Sequence, residues 1–167
     1  MKKSALVLAA AACLALPAMA SAQVNGSISA SADIPTVLNF GTSSALSFGS
    51  ITPGSAATGS GYIALNRNVG VVFTLPDAGN TGRLTRSGGT ETIQPAFTCG
   101  VGSTTSTIVS AFSSCLPATA STAVLTLTAP TTVVTEYVIF NGSLTGTQTN
   151  AIPGTYSGTI RITATAN

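Results

Sequence analysis

The 167-residue chain is expected to fold as an all-β antiparallel sandwich behind an amino-terminal export signal. Three observations point there. Ser and Thr make up 45 of the 145 residues after position 22, and all 17 glycines lie in the same stretch. Thr-rich sequence with β-branched apolar residues and glycine punctuation favours strands over helices. Short apolar runs recur between turn signals, among them Val69–Leu75, Val124–Leu127 and Val133–Phe140, which argues for a packed core and against low-complexity disorder. No window carries apolar residues at helical spacing with polar faces between them.

In chain order, Lys2 and Lys3 form a basic head, followed by the apolar run Ala5 to Leu16, the break at Pro17 and the small residues Ala18 to Ala22. These are the parts of a signal peptide, expected to span residues 1–22. Cleavage after Ala22 fits best, and cleavage after Ala20 is the alternative. The apolar run is too short for a bilayer, which needs about 20 residues, and no later segment approaches that length. Cys13 lacks the flanking residues of a lipid-attachment site. The mature chain, 23–167, suits one domain and hardly two, and neither a linker nor a repeat divides it.

The mature chain opens on an alternating segment. Val24, Gly26, Ile28, Ala30, Ala32 and Ile34 take the even positions, with Asn25, Ser27, Ser29, Ser31 and Asp33 between them. Further on, Phe48-Gly49 is expected to place an aromatic ring in the core beside a glycine that permits a bulge. Pro53-Gly54 has the residue types of a type II turn. Val69, Val71, Phe73 and Leu75 share one face before the turn 76–79. Ile93, Pro95 and Phe97 lead into Cys99, and Ala123, Leu125 and Leu127 alternate again. Val133 to Phe140, apolar on both faces except at Thr135 and Glu136, reads as a central strand. Gly88-Gly89, Asn141-Gly142 and Pro153-Gly154 mark further turns. The chain closes on Tyr156, Gly158, Ile160, Ile162, Ala164 and Ala166 at even positions, again a strand with one dry face.

Both end segments read as strands, and two roles stay open for the first. It is either a strand of its own sandwich or a donor that completes the sheet of a neighbouring subunit by β-augmentation. A free edge of this length invites aggregation unless a partner covers it.

Composition narrows the chemistry. The chain has no His and no Trp, and only 6% of its residues are charged. Without Lys2 and Lys3, four Arg (Arg67, Arg83, Arg86, Arg161) balance four acids (Asp33, Asp77, Glu91, Glu136). A net charge of zero offers no basic footprint for nucleic acid. With no His and few acids, most metal and acid–base chemistry is excluded, and no His is present to activate a Ser nucleophile, so no enzyme activity, cofactor or metal is expected. The glycine-rich stretch 54–61 lacks the Lys and the helix of a phosphate loop. Cys99 and Cys115, the two mature cysteines, are expected to form a disulfide in an oxidising compartment. No His or Lys is present to activate either as a thiolate.

Two segments carry a family likeness. Ala45-Leu46-Ser47-Phe48-Gly49-Ser50-Ile51-Thr52-Pro53-Gly54 resembles an L-x-F-G-x-I-x-P-G opening, and Asn141-Gly142-Ser143-Leu144 with Pro153 to Thr163 resembles a G-G-x-L…G-x-Y-x-G-x-x-x-V-T ending. These belong to exported bacterial β-sandwich domains allied to spore coat protein U and to archaic chaperone–usher pilins. Related pilins often have a Cys soon after the first strand, whereas Asn39-Phe40-Gly41-Thr42 has none. The resemblance implies an immunoglobulin-like sandwich, exported to the periplasm, cell surface or medium and polymerised by donor-strand exchange. A periplasmic chaperone and an usher would then be partners, together with other copies or surface subunits. The expected function is a structural subunit of a surface fibre or coat. The alternative is a monomeric secreted binding domain for carbohydrate or a surface protein, for which three Tyr and no Trp are a sparse aromatic supply.

Overall fold

The computed structural model describes residues 29–75, 81–117, 123–148 and 151–167. The expected signal peptide, the turn at 76–79 and the positions Val24, Gly26 and Ile28 lie outside the described residues. Residues 1–33 and 34–167 form separate units, and the second contains every strand described below.

The fold is all-β and every strand pairing is antiparallel. Strands β1 (Leu38–Ser47), β2 (Ala57–Arg67), β9 (Val134–Leu144), β6 (Ala96–Gly102) and β7 (Ser110–Ala111) form a five-stranded sheet in the order β1-β2-β9-β6-β7. A second sheet has the order β11-β3-β8, from Thr163–Ala166, Val71–Thr74 and Ala123–Leu127. A third joins β10 (Tyr156–Ser157), β4 (Leu84–Arg86) and β5 (Thr92–Ile93) in the order β10-β4-β5.

One apolar cluster unites the first two sheets. Leu65, Cys99, Val101, Val138 and Phe140 meet Val71, Phe73 and Val124, with Leu75, Phe112 and Leu116 completing it. The expected face Val71, Phe73, Leu75 is almost wholly buried, and β9 takes the central place expected of Val133–Phe140, between β2 and β6. The Phe112 ring lies tilted against Phe73 at a centroid distance of 5.6 Å and meets Phe140 edge-on at 6.5 Å. Cys99 on β6 is bonded to Cys115, with Cα atoms 5.9 Å apart, inside the ordinary range for a disulfide.

Arg67, 4% exposed, closes one end of the core. Its Nε donates to Glu136 at 2.6 Å and a terminal nitrogen to the other carboxylate oxygen at 3.2 Å. The remaining terminal nitrogen donates to the carbonyls of Val69 at 2.9 Å and Thr128 at 2.6 Å. The guanidinium thus ties β2 and β9 to the ends of β3 and β8, with its charge matched and four of its five donors used, the condition under which such burial is tolerated.

The structure departs from the sequence expectation at several points. Strands β1 and β2 are rich in Ser and Gly and show no clean alternation, yet they form the edge and the adjoining interior strand of the largest sheet. Gly59 and Gly61 explain this locally, because a Cβ at either position would collide with the β1 backbone at Ser47 and Leu46. Asn141-Gly142 is not a turn. Asn141 pairs with Ser60 on one side and Thr98 on the other, and Gly142 makes room for the Phe48 and Phe97 rings. Phe48 itself lies just beyond β1, half-buried against Gly142, with Gly49 in the left-handed region at φ 64°. Pro53-Gly54 turns as expected, with Gly54 at φ 80° and Ser55 N donating to Thr52 O at 3.1 Å.

A candidate docking groove

The last strand is not continuous. Tyr156–Ser157 pairs with β4, Thr163–Ala166 pairs with β3, and residues 158–162 between them join no ladder. The alternation survives across the gap, since Ile160, Ile162 and Ala164 are half-buried against the core cluster. Gly158 lies where a Cβ would collide with the Arg83 carbonyl, which fixes the chain as it leaves β10.

Across from this segment lies β1, the edge of the five-stranded sheet, hydrogen-bonded on one side to β2. The register of that pair shifts between Phe40 and Ser43 and again between Ser44 and Ser47. Such irregularities bend and twist an edge strand. Between β1 and residues 158–163 runs a groove of about 690 Å³. Ile63, Leu84, Phe97 and Phe140 contribute to its lining beneath Phe40 and Leu46 on one side and Ile160 and Ile162 on the other. Arg161 is the one charged residue among those lining it. Phe40 is 36% exposed at its mouth.

Ala30, Ala32 and Ile34 belong to no ladder, and Ile34 is 80% exposed. The strand expected over 24–34 is therefore absent from its described part, 29–34. Asn68 anchors the chain where it enters the domain: its carbonyl oxygen accepts from Val37 N at 2.7 Å and its amide donates to Pro35 O at 2.9 Å.

Among the described residues no group of three or more His, Cys, Asp or Glu is placed to hold a metal, and no helix is long and apolar enough to cross a membrane. A second ion pair, Arg86 with Glu91 at 2.8 Å, sits on the small third sheet. The hydrogen bond from Arg86, with one from its own backbone amide, holds the Glu91 carboxyl below its ordinary range. No protein-family model, curated protein or solved structure matches the chain. The sequence reading missed the groove. Its lining comes from β1, β2, β4, β6, β9 and residues 158–163, and no single run of sequence announces those as neighbours.

Proposed function

We propose that this chain is an exported, non-enzymatic structural subunit of a cell-surface fibre or coat, an immunoglobulin-like sandwich that joins copies by donor-strand exchange. Residues 24–34 of one copy would enter the groove of the next, beside β1 and opposite residues 158–162. The observation that carries this is the coincidence of an edge strand, a stretch of the last strand that joins no ladder and an apolar floor between them. An added strand would satisfy exposed backbone groups while alternate side chains fill the floor. The segment 24–34 suits it, since its even positions are apolar or glycine and its single charge, Asp33, is opposite in sign to Arg161. Covering β1 would also remove an aggregation-prone edge.

Ile28 is the largest apolar residue near the middle of that segment, with Gly26 and Ala30 beside it on the same face. Ile28→Asp would bring a charge into an apolar groove, which costs several kcal/mol. The expected result is loss of the heat-sensitive ladder on gels of unheated exported protein, while the monomer keeps its protease resistance. A variant that still forms the ladder overturns the proposal. A monomer that becomes protease-sensitive also overturns it, by returning the segment to its own domain.

A further inference from the structure

The face of the five-stranded sheet turned away from the core is unusual in chemistry. Register places Ser47, Ser60, Asn141 and Thr98 side by side across β1, β2, β9 and β6. Thr58 and Ser143 form the next row towards one end. These six residues line a depression of about 580 Å³ whose other lining residues are Gly, Ala and Phe, with no charge among them. Five of the six are exposed and Asn141 is half-buried. Among the described residues, Thr58, Ser60, Thr98, Asn141 and Ser143 spend no side-chain hydrogen bond on the protein. The Ser47 hydroxyl accepts one from Gly49 N at 3.2 Å and keeps its own proton to donate.

The neighbouring rows differ. Tyr62 follows Ser60 on the same face, and its ring meets Tyr137 edge-on at 5.5 Å. Beyond it, Gly100 and Gly102 let the loop through Thr107 and Ile108 lie against the sheet, with Ile139 fully buried beneath. The depression is thus the part of this face left open, bordered by an aromatic ring.

We propose that this depression binds a neutral glycan. Hydroxyls and one carboxamide offer both donors and acceptors, which is what a sugar hydroxyl requires in return. Within a row, neighbours on adjacent strands lie about 4.8 Å apart, so one extended saccharide laid across the strands meets several of them in sequence. The Tyr62 ring supplies an apolar surface with a polar tip beside them. The absence of charge disfavours acidic polymers, nucleic acid and charged peptides, whose recognition rests on paired charges. Phe97 borders both this depression and the groove, and Tyr62 is also among the groove residues, but the glycan proposal does not depend on strand exchange.

The test is affinity electrophoresis of the soluble, full mature chain through gels containing soluble β-glucan, α-mannan, galactomannan or, as the acidic comparison, alginate. At least one neutral polysaccharide is expected to retard the protein, and alginate is not. Asn141→Ala and Ser60→Ala should each weaken that retardation at least threefold, and the double variant at least tenfold, with the melting temperature unchanged because both side chains face outwards. Ile28→Asp should leave it intact. Failure of every neutral polysaccharide, preferential binding of alginate, or unaltered retardation in the double variant would each overturn the proposal.

Discussion

The β2–β9 pair and the last eleven strand positions of the chain, 156–166, invert the usual relation between pattern and pairing. Strand β2 has a poor alternation, with Gly59, Ser60 and Gly61 at its centre, yet it pairs with β9 at every position from Ala57↔Leu144 to Arg67↔Val134. Residues 156–166 alternate cleanly, yet their ladder fails over 158–162. Alternation records which face of a strand is dry. Pairing depends on whether another backbone lies alongside, and that is decided by the rest of the chain. A clean pattern thus records a dry face and says nothing of whether a ladder forms beside it.

The largest effect is expected where the well-paired region is pinned. Glu136→Ala would leave Arg67 with 4% exposure and no counter-charge. Removing one partner of a buried pair typically costs about 3–5 kcal/mol. Chemical denaturation of the oxidised monomer should show a loss of that order. A loss below about 1 kcal/mol, the scale of exposed ion pairs, would mean that the carbonyls of Val69 and Thr128 hold Arg67 without Glu136.

The same contrast explains how much of the fold was legible in the sequence. Strands β3 and β9 were readable because Val71, Phe73, Val138 and Phe140 are long runs of β-branched or aromatic residues that the core buries. Strands β1 and β2 were not, because their glycines answer to the close passage of another backbone, a tertiary fact. Asn141-Gly142 has the composition of a hairpin turn, but both its neighbours in the sheet continue past it, and the missing Cβ accommodates the Phe48 ring. The disulfide was readable by elimination, since Cys99 and Cys115 had no other partner. The groove was out of reach, because it depends on a register shift in β1 and on a break in a strand whose pattern gives no sign of breaking.

A paired substitution sharpens the comparison at intermediate size. Leu65→Ala, at a fully buried position of β2, is expected to cost about 2–5 kcal/mol in the monomer. Ile160→Ala, half-buried on the groove wall, should cost about 1 kcal/mol, since much of its area is already in water. In assembled material the order should change: Ile160→Ala should weaken the heat resistance of the ladder more than its effect on the monomer accounts for. Equal monomer losses would show that residues 158–162 are packed as tightly as the central ladder and that the groove is closed in solution.

The smallest effect is expected at the start of the interrupted strand. Tyr156 pairs with Arg86, Ser87 N donates to Thr155 O at 2.8 Å, and Arg86 is itself held by Glu91 at 2.8 Å. The Glu91 carboxyl is lowered chiefly by its hydrogen bond from Arg86. A lowered carboxyl contributes stability that is present above its unfolded value, about 4.3, and is lost as the pH falls through the lower folded value. Both side chains are about a third exposed, 27% for Arg86 and 33% for Glu91, so solvent and salt still screen the pair. Melting curves of the parent and Glu91→Gln should therefore differ slightly at neutral pH and low salt. The difference should shrink in about 1 M salt, where the Debye length falls to about 3 Å, and close as the pH drops below the ordinary carboxylate range. A difference that persisted at low pH and high salt would have to come from packing of the Glu91 stem against Gly89. In that case the pair would be a spacer, and the anchoring of Tyr156 beside the gap would rest on the β4–β10 backbone bonds alone.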